Sequence, residues 1–152
     1  MQGYTWIVAL VAVLAGGVPA GASDGLRSVT GQFNVPRTMN RLERLVRVAG
    51  FRVFARVDHS RAADRVGVRL RPTELLIFGK PEAGSALLES DQRTGIDLPM
   101  KFLVWRDAEG RTQISWNDPQ WLAGRHGVGD RGAVLQQMSR VLEQLAGEAA
   151  GN

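Results

Sequence analysis

Leu70-Arg71-Pro72-Thr73-Glu74-Leu75-Leu76-Ile77-Phe78-Gly79-Lys80-Pro81 joins a short apolar run to strong turn residues. Leu75 to Phe78 is apolar at every position. A run this short suits a central strand covered on both faces, or one lying at a subunit contact. Gly79 and Pro81 then turn the chain. Two later segments have the same build: Asp97-Leu98-Pro99-Met100-Lys101-Phe102-Leu103-Val104-Trp105 and Trp116-Asn117-Asp118-Pro119.

Upstream of the first run, Ser28 to Val35 alternates weakly and predicts a strand, with Pro36 ending it. Arg37 to Ala49 carries Met39, Leu42, Leu45, Val46 and Ala49 at helical spacing, and Gly50 follows as a C-cap. Phe51 to Asp58 predicts a second strand, with Phe51, Val53, Ala55 and Val57 on one face and Arg52, Phe54 and Arg56 on the other. A short helix over Ser60 to Val66 takes Ser60 as its cap. Downstream, Ser85 is positioned to cap a helix reaching about Arg93. Met100 to Arg106 and Arg111 to Trp116 are strands joined by the turn-forming Asp107-Ala108-Glu109-Gly110. Asp118-Pro119 has the chemistry of a helix start, and that helix reaches about His126. After a glycine-rich joint, the last helix buries Leu135, Met138, Val141, Leu142 and Leu145. The order predicts an α+β two-layer sandwich: a mostly antiparallel sheet of about five strands with helices packed on one face.

The chain has 152 residues, a formal charge of +4 and 44% apolar residues, which fits one domain with a real core. Its positive charge is nearly all arginine; Lys80 and Lys101 are the only lysines. Arg37, Arg41, Arg44 and Arg47 fall on one helix face. That stripe reads either as a solvated outer face or as a basic surface for an anionic envelope partner. No base-stacking or base-reading residues accompany it, so a nucleic-acid partner is not expected. The absence of cysteine excludes thiolate metal sites, disulfides, a cysteine nucleophile and covalent haem attachment.

The chain begins Met1-Gln2-Gly3-Tyr4-Thr5-Trp6, followed by the apolar run Ile7 to Ala15 and then Val18-Pro19-Ala20-Gly21-Ala22-Ser23. An apolar core ending in small residues is the pattern of a secretory signal, with cleavage expected before Ser23. The run is shorter than the ~20 residues that span a bilayer. Residues 1–22 are thus expected to be a signal peptide and 23–152 one exported domain, periplasmic or secreted, with no stable membrane span after cleavage.

The segment Leu70 to Gly79 is similar to the signature of the bacterial DUF302 family. Val57-Asp58-His59, Asp97 to Trp105, Asn117-Asp118-Pro119 and Ala123-Gly124-Arg125-His126 extend the resemblance over about Ser28 to Leu145. It implies an α/β two-layer fold and frequent homodimerisation, and it brings no catalytic residues with it. Members often carry tyrosine where this chain has Trp116, so no role here rests on a hydroxyl at that position.

The candidate site residues are His59, Arg71, Glu74 and His126. His59 follows a strand beside Asp58. It reads as a metal or haem ligand, as the base of a small hydrolase or isomerase, or as a polar loop residue. His126 ends a helix, where it is either a second ligand or a favourable cation at the helix C-terminus. Arg71 and Glu74 flank Pro72-Thr73 and read as a ligand-anchoring pair or as a structural ion pair. Haem would need one axial histidine and an apolar pocket, with Phe54, Phe78 and Trp105 as its expected surroundings. A divalent metal would have to recruit carboxylates such as Asp58 or Glu74. The expected function is the binding of a small ligand or cofactor.

Overall fold

A computed structural model describes residues 24–152, so the expected signal segment lies outside the described residues. The strands are β1 (Leu26–Gly31), β2 (Arg52–Asp58), β3 (Thr73–Gly79), β4 (Met100–Arg106) and β5 (Thr112–Asn117). They form one open antiparallel sheet in the order β1-β5-β4-β3-β2. The helices are α1 (Val35–Val48), α2 (His59–Asp64), α3 (Pro81–Ser90), α4 (Pro119–His126) and α5 (Gly132–Ala150), with a 3-10 turn at Gln92–Ile96. The architecture is the expected α+β sandwich.

One face of the sheet is the core. Leu76 and Phe78 of β3, Phe102 and Val104 of β4 and Ile114 and Trp116 of β5 pack under Met39, Leu42 and Val46 of α1 and Leu142, Leu145 and Ala149 of α5. Aromatic rings run across the strands beneath these helices. Phe51 meets Phe78 edge-on at 5.6 Å, Phe78 stacks on Phe102 at 5.0 Å, and Phe102 meets Trp116 edge-on at 5.8 Å. Such pairs add roughly 0.5–1.5 kcal/mol each beyond their burial. Leu75, Ile77, Leu103 and Trp105 point the other way and are only half-buried. The apolar run in β3 is therefore covered by helices on one face, not two, and β4 takes the middle of the sheet.

Three local assignments differ from the sequence reading. Helix α1 starts at Val35, with Asn34 Oδ1 accepting the Arg37 amide at 3.0 Å; Pro36 sits in the first turn instead of ending a strand. Helix α2 is capped by Asp58, whose Oδ1 accepts both the Arg61 amide and the Ser60 hydroxyl, so Ser60 supports the cap without being it. Helix α3 starts at Pro81, where the fixed proline φ suits a first helical turn, and it leaves Ser85 inside the helix. Asp91 then ends α3 and caps the 3-10 turn through the Arg93 amide.

A fourth difference lies in β2. Val53 stands opposite Phe78, but Ala55 stands opposite Ile77, so the register shifts by one residue at Phe54. This β-bulge reverses the alternation. Val53 joins the helix-covered core, while Ala55 and Val57 face outward beside Ile77 and Leu75.

Candidate functional site

The sequence-nominated residues do not converge. His59 is exposed at the first position of α2, and its neighbour Asp58 is committed to capping that helix. Hydrogen bonds from the Arg61 amide and the Ser60 hydroxyl hold the Asp58 carboxyl below its usual range, which suits a cap and leaves it unavailable to orient His59. Arg71 Nε donates to the Arg106 carbonyl at 3.0 Å and ties the start of β3 to the end of β4. It does not meet Glu74.

Glu74 is turned to the helix-covered face and is 7% exposed. Its Oε2 accepts Arg56 Nε at 2.7 Å and Nη2 at 2.6 Å. Arg56 Nη1 also donates to Asn40 at 2.7 Å and to Glu43 at 3.4 Å. Asn40 and Glu43 belong to α1, so this network joins the edge strand β2 to the helix above it. The carboxylate is spent on a structural pair, and the partner of Glu74 is Arg56.

His126 is well buried, with its side chain 9% exposed, and its Nε2 donates to Asp97 Oδ2 at 2.6 Å. Arg125 Nη1 reaches Asp97 Oδ1 at 3.1 Å. Asp97 follows the 3-10 turn, so the cluster fastens the end of α4 to the segment leading into β4. Lys101 Nζ bonds the carbonyls of Asp97 and Pro99 from the same side. Burial lowers the Lys101 ammonium pKa, opposed by the Asp97 carboxylate. The role of Asp97 with His126 rests on a pairing 29 residues apart that no local pattern signals. Among the described residues no serine or threonine hydroxyl bonds to this histidine.

The feature the sequence did not reveal is a cavity of about 590 Å³ beside the ends of β3 and β4. Its walls come from Phe51, Phe54 and Phe78 on the sheet side, Gly84 and Leu88 of α3, Leu98 and Pro99 before β4, and Met138, Val141 and Leu145 of α5. The volume falls within the ~300–1,000 Å³ of ordinary small-molecule sites. Lys80 is the only charged residue in its wall, and no acid lines it. Phe54, which has no partner on β3 at the bulge, adds its ring to this wall beside Gly79.

Neither histidine lines the cavity. Phe54 and Phe78 do line it as expected, but Trp105 lies on the open sheet face and donates from Nε1 to Ser115. The sulfurs of Met100 and Met138 are the only soft donors in the wall. No group of three or more His, Asp or Glu side chains converges among the described residues.

The basic stripe is partly used up internally. Arg41 donates to the carbonyls of Ala149 and Glu148 at the C-terminus of α5, a favourable place for a cation. Arg37 and Arg41 lie over the Phe33 ring, and Arg47 pairs with Glu43.

With this geometry in place, comparison with known proteins is informative. The family described as "Domain of unknown function DUF302" matches residues 27–145. This chain belongs to the DUF302 family. The crystal structure of an uncharacterised conserved DUF302 protein from Bacillus stearothermophilus superposes with a TM-score of 0.75 at 19% identity, covering 84% of this chain and 99% of that one. At that identity the likeness concerns the fold alone. A protein from Brucella suis biovar 1 named fluoride-specific ion channel FluC 1 is 41% identical over 106 residues, covering 70% of this chain and 42% of that protein. Its counterpart FluC 2 from Brucella melitensis biotype 1 matches equally, with 39% of its length covered. The DUF302 chain therefore spans about two fifths of these relatives. No helix among its described residues is long and apolar enough to cross a membrane.

Proposed function

We propose that this DUF302 protein is an exported binding protein that holds a small, largely apolar organic ligand in the cavity between β3, β4, α3 and α5. The observation that carries this reading is the 590 Å³ space walled by aromatic and aliphatic side chains. A guest seated in an apolar space of this size gains dispersion contacts with the aromatic and aliphatic wall. Haem or a metal fits less well, because both histidines lie elsewhere and no carboxylate lines the wall. The hydrolase or isomerase reading, with His59 as base, is weakened by the exposure of His59 and the capping duty of Asp58. The channel name of the Brucella relatives belongs to proteins of more than twice the matched length and is not carried over.

The test is direct. Gly84 lines the cavity from α3, and a Cβ there would make only ordinary contact, at 3.9 Å from Leu98. Gly84→Leu fills the space while raising helix propensity by roughly 0.8 kcal/mol. Native mass spectrometry of protein drawn from its own compartment should show an organic adduct that this variant lacks. An adduct-free wild type that takes up no apolar probe would overturn the proposal.

Two further parts of the reading have their own tests. Export predicts that the N-terminus of the protein recovered from the cell envelope or medium is Ser23; an unprocessed Met1 would contradict it. The half-buried Val57, Leu75, Ile77, Leu103 and Trp105 on the open sheet face would meet a second copy in the homodimer. Light scattering of Ile77→Lys should then give a monomer where the parent gives a dimer.

A further inference from the structure

The cavity mouth is electrostatically unbalanced. Most arginines near carboxylates are paired: Arg27 with Asp118, Arg56 with Glu74, Arg93 with Asp91, Arg111 with Asp107, Arg125 with Asp97 and Arg131 with Glu89. Lys80 is not. Its ammonium rests 4.5 Å from the centroid of the Phe51 ring, which lines the cavity, and it makes no salt bridge. Arg52, the residue paired with Gly79 across the strands, lies over Phe54 at 5.3 Å and likewise has no carboxylate partner. Two cations thus sit on two aromatic rings of the wall, Lys80 on Phe51 and Arg52 on the exposed Phe54 at the rim. Helix α3 begins immediately after Lys80 with no side-chain cap, and the exposed Glu82 in its first turn offsets part of that positive helix end, which leaves Lys80 and Arg52 as the cations that count.

Behind that charged mouth the wall is apolar. Leu88, Leu98, Met138, Val141 and Leu145 offer methyl and thioether surface, and Gln137 and Gln144 are the uncharged polar exceptions at α5. An apolar interior with positive charge at its opening matches one ligand geometry: a single hydrocarbon tail ending in an anion. A neutral guest would leave the ammonium unused, and a cationic one would meet repulsion at the opening.

Resting on the cavity reading above, we infer that the ligand is a single-chain anionic amphiphile, with its tail in the cavity and its carboxylate, phosphate or sulfate head on Lys80. The cation–π contact to Phe51 holds the ammonium at the mouth in the free protein, at the low cost of a contact worth roughly 0.5–1 kcal/mol at exposed sites. The head group replaces the ring as its partner. Arg52 supplies a second donor at the rim.

Calorimetric titration of the mature protein tests this with three probes sharing one tail: dodecanoate, dodecyl phosphate and dodecyltrimethylammonium. The anionic probes should bind one per cavity and the cationic probe at least tenfold more weakly. Lys80→Gln should weaken dodecanoate by roughly tenfold, as loss of a charge-assisted contact does, while leaving the cationic probe unchanged or improved. Lys80→Arg should restore most of the loss. Decanoate should bind roughly tenfold more weakly than dodecanoate, from the two methylenes it lacks. Comparing the carboxylate with the phosphate separates the head-group sources. Equal binding of anionic and cationic probes, or an unchanged Lys80→Gln, overturns the anionic assignment and leaves the cavity reading standing. Failure of all three probes, together with no effect of Gly84→Leu on any of them, overturns both.

Discussion

Two polar regions of this protein handle charge in opposite ways. At the end of α4, Asp97 gathers His126 and Arg125 onto one carboxylate, and Lys101 is held by two backbone carbonyls. At the cavity rim, Lys80 and Arg52 lie over aromatic faces and form no salt bridge among the described residues. Where the fold needs a charge, it supplies the partner; where it leaves a cation beside an apolar hollow, the proposed ligand would supply it. Burial cost explains the contrast. A buried ion such as Glu74 is tolerated only because Arg56 reaches it at 2.6 Å. Lys80, only half-buried, keeps enough water to wait without a counterion.

The comparison can be broken by mutation. The largest expected effect is at the buried pair. Arg56→Met should cost about 3 kcal/mol by stranding Glu74, and adding Glu74→Leu should recover most of it. Urea denaturation of the two single variants and the double variant measures this. Next, Asp97→Ala should cost about 2 kcal/mol, because His126 and Arg125 lose their shared acceptor; the thermal midpoint should fall accordingly. A loss below half that value would place Asp97 among the surface charges.

Acid titration probes the paired region more finely. Bonds from the Arg93 side chain and amide hold the Asp91 carboxyl at about 2, against an ordinary 3.8. A lowered folded-state pKa means that its stabilising contribution is complete above the unfolded value. That contribution is lost as pH falls from about 4 towards about 2. Asp107 behaves alike: burial pushes it up, but Gln113 and Arg111 outweigh that and hold it at about 2. In Asp91→Asn the acid limb of a midpoint-versus-pH curve should flatten, and an unaltered limb would contradict the assignment. The smallest effect is expected at the mouth. Lys80→Gln should change stability by less than about 1 kcal/mol, the size of an exposed cation–π contact, while its binding phenotype is large. A substantial loss of stability there would make Lys80 a structural residue after all.

Much of the architecture was legible because it is written locally. Asp118-Pro119 announces α4, the turn residues Asp107 to Gly110 announce a hairpin, and the spacing of Leu135, Met138, Leu142 and Leu145 shows which face of α5 is buried. The candidate site was not legible, for physical reasons. The wall of the cavity draws residues from β2, β3, α3, the segment before β4 and α5, and each of them reads in isolation as ordinary core. Glu74 stood beside Arg71 in sequence, but strand alternation sends Glu74 under α1 while Arg71 stays at the surface. Asp97 carried no local sign of its pairing because its partner lies at the end of α4. Only the bulge carried a faint signal: arginines at 52 and 56 bracket an aromatic where strict alternation would put a third polar residue.

That bulge has a consequence beyond placing Phe54. Strand β2 is an outer strand of an open sheet, so one side of its backbone offers unsatisfied donors and acceptors to any passing extended chain. The irregularity between Val53 and Ala55 bends this edge out of register, and the exposed Arg52 sets like charge against an identical edge. The residue that widens the cavity therefore also blunts the strand against edge-to-edge stacking. Deleting Phe54 to straighten β2 would trade a binding wall for a fibre-forming edge.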